Sequence, residues 1–133
     1  MKYFLDTNIC IYFLKGISEK LLLKLKKHNP GDIKIASIVK GELLYGAEKS
    51  VKVKENIKKV NDFLFPYEIV SFDNNSAVVY SQIRSQLEKK GDLIGPNDLL
   101  IASTVIVNDG ILVTNNTREF RRVKLLKIEN WVN

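Results

Sequence analysis

Short apolar runs alternate along this chain with longer segments in which apolar residues recur at helical spacing. This alternation is typical of an α/β fold with a central, mainly parallel sheet and helices packed on both of its faces. The short runs predict strands at Lys2–Leu5, Ile33–Ala36, Glu68–Phe72, Ile111–Thr114 and Leu125–Glu129. The longer segments predict helices at Asn8–Lys15, Ser18–Lys27, Ser37–Lys49, Val53–Phe65, Asn74–Lys90 and Asn97–Val107.

Local signals support several of these boundaries. The sequence Asn29-Pro30-Gly31-Asp32 is a turn cluster that ends the second helix. Ser37 and Asp73 are suited to cap the helices that follow them, by accepting hydrogen bonds from free amide groups of the first turn. The helix Asn97–Val107 is apolar almost all round, which predicts a central, buried position.

Length and composition predict a single domain over residues 1–133. A chain of 133 residues with 45% hydrophobic content can bury a sizeable core. No apolar run approaches the roughly 18 residues that cross a bilayer, and Asp6 comes too early for a signal peptide. Cys10 is the only cysteine, which fits a reducing cytoplasm, and we expect it to be a core residue. We expect His28, the only histidine, to lie on the surface.

The chain is basic, with a formal net charge of +6. Such an excess favours polyanionic partners such as nucleic acid. The alternative is that the charge only solvates helix faces, because 17 of the 21 basic residues are lysines in amphipathic segments.

Three acids lie in apolar stretches, namely Asp6, Glu42 and Asp98. Each has a simpler interpretation, because Asp6 can cap a helix, Glu42 can face solvent, and Asp98 is favoured by the dipole of the helix it begins. Isolated buried carboxylates are costly unless a cation or hydrogen bonds compensate their charge. Because Asp6 ends a strand and the other two lie near the starts of helices, all three are expected at the same end of a doubly wound sheet.

An acidic cluster of this kind suits a hard cation. Carboxylate oxygens are the usual ligands of Mg²⁺ and Mn²⁺, and the absence of a Cys/His cluster argues against zinc. The expected chemistry is therefore metal-assisted hydrolysis of a phosphodiester.

Four segments resemble the PIN-domain ribonucleases, and within them the VapC-type toxins of bacterial toxin–antitoxin pairs. The segments are Phe4–Asn8, Gly41–Ala47, Ile94–Ala102 and Leu112–Phe120, and the similarity extends to the tail Ile128–Trp131. The resemblance implies a PIN-like three-layer α/β/α fold with a sheet of about five strands. It also implies a Mg²⁺-dependent endoribonuclease toxin.

The resemblance also assigns roles to individual residues. It makes Asp6, Glu42 and Asp98 the metal-binding acids. Thr7, Asn8 and Thr114 would orient those acids. Many relatives carry a fourth acid where this chain has Asn116, and Glu119 follows three residues later. Either Glu119 or Asn116 would therefore complete the site.

The same resemblance implies the partners. VapC-type toxins generally form homodimers, are inhibited by a cognate antitoxin, and in several cases cleave tRNA. Three arginines after the fourth strand are candidates for contacts with RNA phosphates, namely Arg118, Arg121 and Arg122. An alternative is a solvated loop at these positions.

Two other functions are compatible with parts of the sequence. A haloacid-dehalogenase-type phosphotransferase also begins with an Asp-Thr pair, but its chemistry needs a second aspartate where this chain has Asn8. A catalytically inactive PIN domain that binds RNA or protein is the second alternative, and it is suggested by Asn116.

Overall fold

The sequence folds into five strands and seven α-helices. The structure is a computed structural model that describes all 133 residues. The strands are β1 (Tyr3–Leu5), β2 (Ile33–Ala36), β3 (Glu68–Val70), β4 (Ile111–Val113) and β5 (Lys127–Glu129). The helices are α1 (Thr7–Lys15), α2 (Glu19–Lys27), α3 (Ser37–Glu48), α4 (Val53–Leu64), α5 (Asn74–Lys90), α6 (Pro96–Val107) and α7 (Thr117–Phe120).

All five strands are parallel and form one sheet in the order β3-β2-β1-β4-β5. The central strand β1 pairs with β2 on one side and with β4 on the other. The chain builds the sheet outward from β1 to β3, and then returns to build β4 and β5 on the opposite side. In such sheets ligands bind beyond the carboxyl ends of the strands where the order reverses, which here is between β1 and β4.

Every predicted strand and helix is present, and the α/β/α architecture with a parallel sheet is confirmed. Two short elements were not predicted, the helix α7 and a 3-10 turn at Pro30–Asp32. Neither is long enough for apolar residues to recur at a regular spacing, so periodicity does not reveal them.

The predicted helix caps have different outcomes. Asp73 caps α5 as expected, because its Oδ1 accepts from the backbone N–H of Ser76 at 2.9 Å. The prediction for Ser37 is wrong: Ala36 occupies the N-cap position of α3, and no side chain bonds to the first turn. Strand β2 runs directly into α3, which places Ser37 inside the helix.

The core lies on both faces of the sheet. Phe4 and Leu5 of β1 are 1% exposed, and Cys10 is fully buried as expected. The central position of α6 is confirmed, because it buries six consecutive or near-consecutive side chains: Leu99, Ile101, Ala102, Ser103, Thr104 and Val105. No helix combines the length and the apolar character needed to cross a membrane.

His28 is not the simple surface residue that the sequence suggested. Its ring is half-buried and stacks on Trp131, with the ring centroids 4.6 Å apart. Tyr3 packs edge-on against the same ring at 4.7 Å. The C-terminal tail, more than one hundred residues away in sequence, supplies this contact, so α2 alone gives no sign of it.

Candidate active site

The first strand places Asp6 at the carboxyl edge of the sheet. Asp6 is only 4% exposed, and it is the N-cap of α1. Its Oδ1 accepts from the backbone N–H of Thr7 at 2.8 Å, and its Oδ2 accepts from the Thr114 hydroxyl at 2.8 Å. Burial raises the pKa of Asp6, and these two hydrogen bonds partly offset that rise. The capping interpretation of Asp6 is therefore confirmed, and its role as a metal-binding acid stays a prediction.

Glu42 is held close by through two other side chains. It is half-buried on α3, where its Oε1 accepts from the Thr7 hydroxyl at 2.5 Å. Its Oε2 accepts from the Nδ2 of Asn97, on α6, at 3.2 Å. Thr7 thus bonds to Asp6 through its backbone and to Glu42 through its side chain, which fixes the two acids relative to each other.

Asp98 and Glu119 form a carboxyl pair. Burial raises the pKa of Asp98 to about 7, and the rise is strengthened by a hydrogen bond to Glu119 and by the charges of Glu119, Asp6 and Glu42. The pKa of Glu119 is lowered, chiefly by the backbone N–H of Gly95, which donates to its Oε1 at 2.9 Å. The proton that the pair holds at neutral pH therefore resides on Asp98.

Asn116 is tied to this pair. Its Nδ2 donates to Glu119 Oε2 at 2.7 Å, and its backbone N–H donates to the Thr114 hydroxyl at 2.9 Å. Asn116 thus directs its amide nitrogen at Glu119, and Glu119 is the carboxylate that lies against Asp98. This geometry favours Glu119 over Asn116 as the fourth oxygen donor of the site.

The other predicted site residues have different positions. Asn8 is exposed, and its side chain forms no hydrogen bond with the acids, so its predicted role stays a prediction. Arg118, Arg121 and Arg122 lie on and after α7, at the surface. Of these three arginines, Arg122 interacts electrostatically with an acid of the site, because its charge helps to lower the pKa of Glu119.

Sequence reasoning missed two contributors. Asn97 donates to Glu42, and the backbone of Gly95 donates to Glu119. Asn97 carries a sequence signal, since it is a polar residue directly before Asp98 at the start of an apolar helix. Gly95 carries none, because its contribution is a main-chain N–H. Its bond to a residue 24 positions away depends on the fold.

The donor set fits a hard divalent cation in chemistry and charge. All four acids offer carboxylate oxygens, and none of them forms an ion pair with a lysine or arginine. No three acidic, histidine or cysteine side chains are already gathered as a coordination cluster. Their oxygens are instead held by Thr7, Thr114 and Asn97, and by the Asp98–Glu119 contact. Each of these oxygens keeps a further lone pair with which it could bind a cation.

Comparison with known proteins places nearly the whole chain in one family. The family profile described as PIN domain matches residues 3–126. The chain is 45% identical to Ribonuclease VapC2 of Rickettsia felis over 134 residues, which is 98% of each chain. It is 37% identical to the tRNA(fMet)-specific endonuclease VapC of Salmonella typhimurium, again over 98% of each. It superposes with a TM-score of 0.91 on the crystal structure of VapBC2 from Rickettsia felis bound to a DNA fragment from their promoter. That match has 43% identity and covers 98% of this chain and 99% of the other.

Proposed function

Because this chain belongs to the PIN-domain family, among the VapC-type ribonucleases, we propose that it is a metal-dependent endoribonuclease and the toxin of a toxin–antitoxin pair. The observation that carries the proposal is that Asp6, Glu42, Asp98 and Glu119 lie close enough for their charges to raise the pKa values of Asp6 and Asp98, and that none of the four forms an ion pair with a lysine or arginine. Membership of the family sets aside the phosphotransferase alternative. The relative named as a tRNA(fMet)-specific endonuclease makes tRNA the proposed substrate.

The four acids divide the work of the reaction. A bound Mg²⁺ or Mn²⁺ supplies charge stabilisation at the phosphate and activation of water. Asp6, Glu42 and Asp98 would hold the cation, with Thr114 and Thr7 fixing the first two. Glu119, which lies against Asp98 and whose lowered pKa keeps it ionised, would complete the set of oxygen donors. No side chain of the protein acts as nucleophile.

The proposal is tested by cleavage of tRNA with a matched pair of variants on one helix. Glu42→Gln removes a charge from the site, whereas Glu48→Gln removes one from an exposed position six residues later on α3. We expect Glu42→Gln to lower the cleavage rate at least about 100-fold and Glu48→Gln to leave it unchanged. EDTA should abolish cleavage by the unaltered protein.

The chemistry of the product ends gives an independent check. In-line attack by water leaves a 5′-phosphate and a 3′-hydroxyl, because the 2′-hydroxyl of the RNA takes no part. Protein-dependent cyclic phosphate ends, or full cleavage in EDTA, would contradict the proposed mechanism. A protein that binds tRNA and never cleaves it would instead support the alternative of an inactive binding domain.

A groove beside Glu42 supports an antitoxin partner. The groove has a volume of about 420 Å³ and lies between α1, α3 and α4. Ile11, Leu14 and Leu43 contribute to its apolar lining, and Glu42 borders it. An apolar protein segment followed by a basic side chain would fill the groove and reach the acids.

Two glycines of α3 provide a direct test of the groove. Gly46 lines it, Gly41 is exposed, and an added Cβ meets no atom within 4 Å at either position. Gly46→Leu should therefore fold, fill part of the groove, and weaken inhibition by the co-expressed antitoxin. Gly41→Leu is the matched control. Equal inhibition of both variants would exclude this groove as the antitoxin site.

The proposed assembly is a homodimer, as the resemblance implies. Light scattering on the free protein distinguishes a dimer from a monomer. The cytoplasmic location stays a prediction, and fractionation of expressing cells tests it.

A further inference from the structure

A small cleft lined by basic side chains lies beside the loop that leads into α6. A narrow cleft separates the C-terminal half of α5 from the segment that follows α7, and its volume is about 30 Å³. Leu87 and Val123 form part of its buried floor, at 3% and 4% exposure. Lys90, Arg122 and Lys124 line its rim. These three cations come from two segments that are far apart in sequence, so the fold brings them together.

The three cations have no acidic partner. Other basic residues of the chain are paired, for example Lys58 with Asp62 and Arg84 with Glu88. None of the ion pairs includes Lys90, Arg122 or Lys124.

Lys90 and Lys124 also repel each other. Both line the cleft, and the nearby side chain of Lys124 lowers the pKa of Lys90, while the charge of Asp92 partly offsets this effect. Two like charges placed side by side favour a shared anion between them.

Arg122 connects the cleft to the proposed site of cleavage. Its Nη1 donates to the backbone carbonyl of Leu93 at 3.1 Å. This bond holds the guanidinium against the loop that joins α5 to α6. Two residues later in that loop, Gly95 donates to Glu119. One loop, between α5 and α6, thus bonds both to Arg122 of the cleft and to Glu119 of the proposed site.

The size and charge of the cleft limit what can bind. A volume of about 30 Å³ admits a water molecule or a phosphate oxygen and excludes a nucleobase. Arginine and lysine recognise phosphate through charge and, for arginine, through a forked pair of N–H donors. We propose that Lys90, Arg122 and Lys124 hold a backbone phosphate of the RNA substrate next to the phosphate that is cleaved. This inference rests on the proposed ribonuclease function.

Binding of fluorescein-labelled tRNA, measured by anisotropy in EDTA, tests the site without cleavage. Lys90→Gln/Lys124→Gln should bind tRNA about 10-fold more weakly than the unaltered protein. The slope of log affinity against log salt should fall by roughly 0.7–0.9 for each phosphate that the variant no longer neutralises. Lys26→Gln/Lys27→Gln removes the same charge from exposed positions on α2 and should bind like the unaltered protein.

A charge reversal distinguishes substrate binding from a structural role. Lys124→Glu can pair with Lys90, so it should keep or raise the melting temperature and yet weaken tRNA binding more than Lys124→Gln. In cleavage assays, the Michaelis constant of the double variant should rise more than its turnover number falls. Binding by the double variant equal to that of the α2 control would overturn the inference, even if the unaltered protein cleaves tRNA. Absence of cleavage by the unaltered protein would instead refute the ribonuclease function, while the binding comparison still tests the cleft.

Discussion

At the scale of single residues, the site depends on how each carboxylate is held. Thr7 and Thr114 donate hydroxyl hydrogen bonds to Glu42 and Asp6, and these bonds keep the oxygens in place without cancelling their charge. A lysine or arginine at the same positions would neutralise the acids and weaken binding of a cation. Uncharged donors therefore orient the acids and preserve the negative potential of the site.

The fourth acid can be identified by comparing two variants. Glu119→Gln removes a charge and the carboxyl that lies against Asp98, whereas Asn116→Ala removes only a donor that orients Glu119. We expect Glu119→Gln to slow RNA cleavage about 100-fold and Asn116→Ala about 10-fold. Single-turnover cleavage measures both. Equal losses would show that the two residues together position the other acids. An unchanged rate in Glu119→Gln would make Asn116 the fourth oxygen donor of the site.

The raised pKa of Asp98 makes cation binding depend on pH. With a pKa of about 7, Asp98 is largely protonated at pH 6, and a cation must displace that proton. Calorimetry should show affinity for Mg²⁺ falling by up to about 10-fold per pH unit below pH 7. In Glu119→Gln the midpoint should shift to lower pH, because Glu119 raises the pKa of Asp98. Affinity that is constant from pH 5 to pH 8 would contradict this account.

At the scale of elements, the joints between strands and helices position the site. Strand β1 passes into α1 through Asp6 alone, so the residue that caps the helix is also the first acid of the site. Strand β4 is followed by Thr114, which bonds to Asp6 across the two neighbouring strands. Short joints allow little freedom, and the geometry of the acids is therefore fixed by the pairing of β1 with β4.

The pairing of these strands makes Gly110 sensitive to substitution. A Cβ at this position would lie 2.6 Å from two carbons of the Phe4 ring and 3.2 Å from the carbonyl oxygen of Lys2. Because Phe4 is only 1% exposed, its ring has no free space to move into. We expect Gly110→Ala to lower the free energy of unfolding by about 2–3 kcal/mol, as measured by denaturant titration. Gly41→Ala, where a Cβ meets no atom, is the control.

At the scale of the whole molecule, the acids oppose folding when no cation is present. The folded state raises the pKa of Asp98, so this group favours the folded protein when protonated. Its contribution to stability is fully present below its usual pKa of 3.8 and is lost as pH rises through about 7. The chain as a whole has a net charge of +6, which favours a polyanionic partner, but no lysine or arginine forms an ion pair with these acids.

Thermal unfolding at pH 8 tests whether the acids destabilise the metal-free protein. In EDTA, Asp98→Asn should melt a few degrees higher than the unaltered protein, because one charge has left the cluster. Mg²⁺ at 100 times its dissociation constant should stabilise the unaltered protein by about 2.7 kcal/mol and the variant much less. Asp92→Asn, at an exposed position before α6, is the control. A lower melting temperature for metal-free Asp98→Asn would show that Asp98 has a structural role instead.

The sequence by itself determined the elements and three of the acids. Each predicted helix and strand depends on a local period of apolar residues, and such a period survives in the fold because the buried face must be continuous. Asp6, Glu42 and Asp98 were identifiable because a carboxylate in an apolar stretch is costly without a partner. The helix α7 was not predicted, because it is too short to show a period. The N-cap of α3 was not predicted correctly, because it depends on how β2 enters α3.

Only the tertiary structure decided which residues share each site. The bonds from Asn97 to Glu42 and from Gly95 to Glu119 join positions 55 and 24 residues apart. The stack of His28 on Trp131 and the approach of Lys90 to Lys124 also join segments that are distant in sequence. Local patterns carry no information about such contacts, because the order of the strands determines which segments meet. The sequence specified the groups capable of the chemistry, and the reversal of strand order between β1 and β4 brought them together.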